Sequence, residues 1–127
     1  MYELSIEEFT KYVTDLVEKI GNVTLSNPDT EETFPCCVVS NAMQSIKITE
    51  NNIPVKIRFS INIEWWTSSK YTSMNYYQKT NELLRQYNFA QVGNQVENYD
   101  DITKKYRYGG RYEVNYNGLT NSFERVI

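Results

Sequence analysis

The chain has 127 residues, 40% hydrophobic and 23% charged, with a formal net charge of −3. That length predicts one domain, residues 1–127, able to bury roughly two thirds of its unfolded surface. The acidic balance shows no basic stripe for phosphate, and the absence of histidine removes Ser-His-Asp and Cys-His nucleophiles, histidine metal sites and a histidine pH switch.

The first predicted element is a helix over residues 5–20. Ser5 and Glu8 form an S-x-x-E capping box, and Leu4 and Phe9 take the positions of a hydrophobic staple. Ile6, Phe9, Val13, Leu16, Val17 and Ile20 recur at helical spacing and should face the core. Gly21 stands where the helix should stop. Residues 21–33, GNVTLSNPDTEET, read as a loop with a short extended piece at 23–25.

FPCCVVS, residues 34–40, reads as a buried strand with Pro35 at its first position. MQSIKITE, residues 43–50, alternates Ile46 and Ile48 with Lys47 and Thr49 and predicts a second strand. NNIP at 51–54 is turn chemistry. VKIRFSINIEWW, residues 55–66, then alternates almost without fault: Val55, Ile57, Phe59, Ile61, Ile63 and Trp65 on one face, Lys56, Arg58, Ser60, Asn62 and Glu64 on the other. Strands 43–50 and 54–66 should form an antiparallel pair. Trp66 breaks the alternation, and two readings are open for it. It is an exposed aromatic at an interface centre, or it tucks under the start of the next helix.

Ser68 and Ser69 offer an N-cap for a second helix at about 69–87, with Met74, Tyr77, Leu84 and Tyr87 on its stripe and Tyr71, Tyr76 and Leu83 widening it. Phe89, Val92 and Val96 suggest a strand bulged at Gly93 and ended by a turn at Asp100 and Asp101. KYRYGGRYEVNYN admits a hairpin on Gly109 and Gly110 or one continuous strand bent or bulged there. The continuous strand is preferred, because it keeps Tyr106, Tyr108, Tyr112, Val114 and Tyr116 on one face and Arg107, Arg111, Glu113 and Asn115 on the other. The tail carries Leu119, Phe123, Val126 and Ile127, an apolar set that reaches for a surface on its own domain or on a neighbour. The order α-β-β-β-α-β-β predicts an α+β fold: a mostly antiparallel sheet with two helices packed on one face.

Chemistry-bearing clusters are sparse. Glu97, Asp100 and Asp101 lack calcium-loop spacing and read as a solvated turn. Glu64 has no evident carboxylate partner. Lys104, Lys105, Arg107 and Arg111 interleave with tyrosines, as a single-strand binder would require, but read more simply as the charged back of a tyrosine face. Cys36 and Cys37 are adjacent, so a disulfide between them is strained, and one is expected in the core. The amino terminus lacks a signal peptide's apolar region and no apolar run approaches a membrane span, which predicts a reducing compartment. No enzyme activity, cofactor or metal is expected.

In element order and texture the chain resembles the tail-terminator (tail-completion) proteins of long-tailed phages and prophage-like tail particles. The likeness rests on the amphipathic first helix, FPCCVVSNA, VKIRFSINIEWWTSS, KYTSMNYYQKTNELL, YNFAQVGNQVENY and TKKYRYGGRYEVNY. It implies a subunit of a hexameric ring that caps the tail tube, ends its polymerisation and meets the head–tail connector. DNA would pass through without specific binding, and the protein would sit at the head-proximal end of the virion tail after assembly in the host cytoplasm. Such a subunit buries two different patches, which suits a chain with 11 tyrosines. Candidate subunit-interface residues are Trp66, Tyr71, Tyr76, Arg107, Arg111 and Phe123. Other head–tail joining or tube-associated proteins share this texture, and the competing class is a small ligand- or peptide-binding α+β module.

Overall fold

The structure, a computed structural model, describes residues 4–25 and 33–126. The elements are α1 (Ile6–Val17), β1 (Asn22–Thr24), β2 (Cys36–Glu50), β3 (Ile53–Thr67), α2 (Lys70–Gln86), β4 (Ala90–Asp100), β5 (Lys105–Asn117) and β6 (Ser122–Glu124). The fold is α+β. One sheet runs in the order β1-β2-β3-β5-β4, with β6 paired to the end of β5. Only β1 runs parallel to its neighbour; every other pair is antiparallel.

The capping box forms as its residues dictate: the Glu8 N–H donates to Ser5 Oγ and the Ser5 N–H donates to Glu8 Oε1. Phe9, Val13, Leu16 and Val17 are buried. The helix is shorter than its apolar stripe predicts. Residues 18–20 form a tighter turn, with Ile20 N–H donating to the Val17 carbonyl at 2.9 Å. At the other end of the fold, α2 closes with Asn88 in the left-handed region (φ 73°). Asn88 N–H donates to Arg85 O and Phe89 N–H to Leu84 O, a Schellman motif in which asparagine replaces glycine.

Residues 34–40 and 43–50 are not two strands. They are one, β2, interrupted by register shifts. Asn41 adopts φ 54°, and the extra residue at 41 and 42 is absorbed between Ser40 and Met43 while pairing with β3 resumes on both sides. The β2–β3 connection is a two-residue turn, Asn51 and Asn52, both left-handed, which suits the strand twist.

β3 and β5 pair from Lys56 with Asn117 to Thr67 with Tyr106 without a register shift. The glycines therefore neither turn nor bulge the chain. A Cβ on Gly109 would overlap the Ile63 carbonyl and the Glu64 backbone, and one on Gly110 would lie 2.5 Å from the Tyr77 hydroxyl. Both are there for close approach. The bulge lies on β4, between Val92 and Val96, where Gly93 has φ 74°.

One core joins both helices to one face of the sheet. Phe9, Val13 and Val17 of α1 and Tyr77 and Leu84 of α2 share it with Cys37, Val39, Ile57, Phe59, Ile61, Ile63, Trp65, Tyr112, Val114 and Tyr116. The buried stripe of α2 is Ser73, Tyr77, Thr80 and Leu84: Tyr77 and Leu84 are buried as expected and Tyr87 packs partly buried against the core, whereas Ser73 and Thr80 replace Met74. Two hydroxyls take part because each is satisfied. Thr80 accepts from Trp65 Nε1 at 2.7 Å, and Ser73 donates to the Tyr106 carbonyl at 2.9 Å. Phe123 of the tail packs on this core, while Ile127 and residues 26–32 of the first loop lie outside the described residues.

Candidate functional site

Cys36 and Cys37 are both buried and unbridged, and alternation sends them to opposite faces. Burial pushes the Cys37 thiol well up, so it stays protonated and is a poor nucleophile. The acidic turn is committed internally. Asp100 Oδ2 accepts from the Thr103 N–H and hydroxyl, which lowers its pKa, and Glu97 pairs with Lys70 at 2.6 Å. Among the described residues no three metal-ligating side chains cluster, and no helix is long and apolar enough to cross a membrane. The arginines and tyrosines of β5 part company across the sheet. Tyr108 and Tyr112 lie on the helix side opposite Trp65 and Ile61, whereas Arg107 and Arg111 lie on the far side opposite Trp66 and Asn62.

The six candidate interface residues are scattered, and most are occupied within the chain. Trp66 is 2% exposed. It sits on the face away from the helices with Cys36, Val38 and Phe34, so it neither projects into solvent nor tucks under α2. The Arg107 guanidinium lies 5.6 Å above its ring and pairs with Glu64 at 3.4 Å. Burial raises the Glu64 pKa, and Arg107 opposes the rise. Arg111 donates to Ser60 Oγ at 2.6 Å, to Asn62 Oδ1 at 2.7 Å and to the Asn41 carbonyl at 3.3 Å, which pins the β2 bulge to the far face. Tyr76 stacks on Trp65 at 4.6 Å and Phe123 on Tyr12 at 4.5 Å. Tyr71 alone of the six is mainly exposed, at 74%. It borders a hollow of about 230 Å³ shared with Asn75, Tyr77, Asn81 and Tyr108.

The surface that stands out is one the sequence disguised. β1 covers β2 only from Cys36 to Val38, so the outer edge of β2 from residue 39 onward has no strand beside it among the described residues. Met43, Ile46 and Ile48 on that strand are each more than half exposed, and Ile53 at the turn is 43% exposed. Their alternation with polar residues looks like a core strand. The register shifts undo that likeness: Met43 opposes Ser60 and Ile48 opposes Lys56 on the face away from the helices, whereas Ile46 opposes Ile57 on the helix face. The opposite edge, β4, also lacks an outer neighbour among the described residues.

Two hollows adjoin the β4 edge at the end of α2. One, about 240 Å³, is lined by Asn81, Arg85, Phe89, Ala90, Gln91, Tyr112 and Arg125; the second, about 450 Å³, by Glu82, Arg85, Gln86 and Arg125. A larger trough of about 570 Å³ along α1 is walled by Glu7, Glu8, Thr10, Lys11, Thr14, Asp15, Glu18 and Leu25, all polar except the last. It is the solvent face of α1, lined by the aliphatic stems of charged side chains with Leu25. No protein-family model matches the chain, and no curated protein matches its sequence.

Proposed function

We propose that the chain is a structural subunit that closes into a ring with copies of itself, of the kind that caps a phage tail tube, stops its growth and joins the tail to the head. The observation that carries this reading is the unpaired β2 edge bearing exposed Met43, Ile46 and Ile48. Open edges invite pairing with another chain, and monomers blunt them with charge, proline or cover. Here the edge carries exposed Met43, Ile46 and Ile48 beside Glu50 and the bulge at Asn41, and a neighbour covering it would bury that apolar surface. The second open edge, on β4, differs from it in sequence and shape, as a head-to-tail contact requires.

In this reading the protein performs no reaction. It contributes shape and two complementary edges, its partners are its own copies, the tube protein and the connector, and DNA passes through the ring without specific contacts. The test is native mass spectrometry and sedimentation of the full chain, alone and with tail-tube protein, followed by electron microscopy of the mixture. Closed rings, and tubes of fixed length capped at one end, are the expected result. A strict monomer at every concentration, with tubes that grow unchecked in its presence, would overturn the reading.

A further inference from the structure

Arg85 and Arg125 flank a hollow whose remaining wall is Asn81, Phe89, Ala90, Gln91 and Tyr112. Among the described residues neither arginine has a carboxylate within ion-pair distance, although four other ion pairs form in the chain. Arg85 lies in the last turn of α2, where a cation complements the helix terminus, but Arg125 has no such role. The hollow thus offers two guanidinium groups above an apolar and amide floor, and Glu82, which lines the adjoining hollow with both arginines, makes no ion pair with either.

Another carboxylate without an ion pair stands at the opposite edge of the same sheet. Glu50 ends β2, is exposed, and is likewise without an ion pair among the described residues. It stands opposite Ile53, whose alternation with Val55 and Ile57 puts it on the helix side; Ile46, opposite Ile57, is on that side too. So Ile46, Glu50 and Ile53 form an apolar and acidic tip facing the same way as the hollow. Lys56 of β3 opposes Asn117 of β5, and Glu113 of β5 opposes Ala90 at the start of β4, so the hairpin tip and the arginine hollow lie toward one end of the sheet, on opposite edges. No chain can join its own two edges without curling closed, but a second copy rotated about an axis can.

We propose that the β2–β3 hairpin tip of one copy seats in the hollow of the next, with Glu50 between Arg85 and Arg125 and Ile46 and Ile53 against Phe89 and Ala90. This rests on the ring reading and assigns its contact. Charge complementarity fixes the partner as a second copy, and the two edges run in opposite directions, so β2 of one copy and β4 of the next can lie side by side as antiparallel strands.

The full chain tests it. Glu50→Arg, or Arg85→Glu with Arg125→Glu, is expected to weaken self-association by about tenfold or more in sedimentation, and Glu50→Arg combined with Arg125→Glu to recover most of the loss. A mixture of Glu50→Cys and Arg125→Cys chains, oxidised, should give a disulfide-linked dimer well above the yield of either variant alone; the native thiols are buried. Circular dichroism of each variant confirms that these surface changes leave the fold intact. If the wild type assembles while the reversals are silent and no cross-link forms, this contact is wrong and the ring reading stands. If the wild type is a strict monomer even with tube protein, both fall together.

Discussion

Trp65 and Trp66 are neighbours in the chain and stand in different worlds. Trp65 belongs to the core beneath the two helices; its indole N–H donates to Thr80 and its ring stacks on Tyr76. Trp66, on the other face, is buried just as deeply by Cys36, Val38, Phe34 and a guanidinium, and its indole N–H has no partner. One face is buried by secondary structure, the other by a few side chains folded over it. Equal burial therefore does not mean equal support. Trp65→Ala should cost about 3–5 kcal/mol, because a rigid core cannot close over the cavity. Trp66→Ala should cost less, about 1.5–3 kcal/mol, the transfer term of a large apolar side chain, since Phe34 and Arg107 can settle into the space. Denaturant midpoints compare the two, and equal losses would show that the far face is a true second core.

The glycine pair sharpens the same contrast. Gly109 faces the far side and Gly110 the helix side. Gly109→Ala drives a methyl into the backbone of β3, which cannot move without parting the central strands, so a loss at the upper end of about 1–3 kcal/mol is expected. Gly110→Ala meets only the tip of the Tyr77 side chain, whose hydroxyl has no hydrogen bond of normal geometry to lose, and should cost less. Thermal unfolding of the two variants ranks them.

Much of the fold was legible because local chemistry and tertiary need agreed. The capping box, the alternation of β3, the turn at 51 and 52, the bulge at Gly93 and the unbroken β5 each rest on a short-range signal that the packing reinforces. Other features depended on partners distant in the chain. Ser73 and Thr80 are core residues only because Thr67, Tyr106 and Trp65 satisfy their hydroxyls. The continuity of β2 depends on a left-handed Asn41 held by Arg111, 70 positions away. Trp66 was readable as exposed or as tucked under α2, but its actual cover was not, since that comes from Cys36, Val38 and Phe34, distant in the chain. The exposed isoleucines were the hardest, because alternation puts Ile46 and Ile48 on one face and the register shift between them, invisible in the sequence, puts them on opposite faces. Position 50 needed the sheet order before its relation to Arg85 and Arg125 could be seen.

The smallest effect divides the faces by charge. Glu64 is half of the more deeply buried of two ion pairs on Trp66's side of β3, the other being Lys56 with Glu124, and burial raises its pKa against the pull of Arg107. A carboxyl whose folded pKa is raised binds its proton more tightly folded than unfolded. In the window between the ordinary glutamate value and the raised one, the folded state therefore holds more protons, and stability falls as pH climbs through it. Asp100 and Glu124, whose pKa values are lowered by hydrogen bonds from Thr103 and Asn117, act in the opposite sense: their contribution is lost as pH falls below the ordinary carboxylate range. The two windows lie on either side of the unperturbed value and can be separated. In Glu64→Gln the decline on the higher side should vanish while the acid limb stays, whatever offset the loss of the Arg107 pair adds at neutral pH. The slope of stability with pH is the readout, taken from denaturant midpoints across the carboxylate range. A slope unchanged by Glu64→Gln would mean that the far face admits enough water to solvate the carboxylate, and that the small cluster around Trp66 is less closed than its burial suggests.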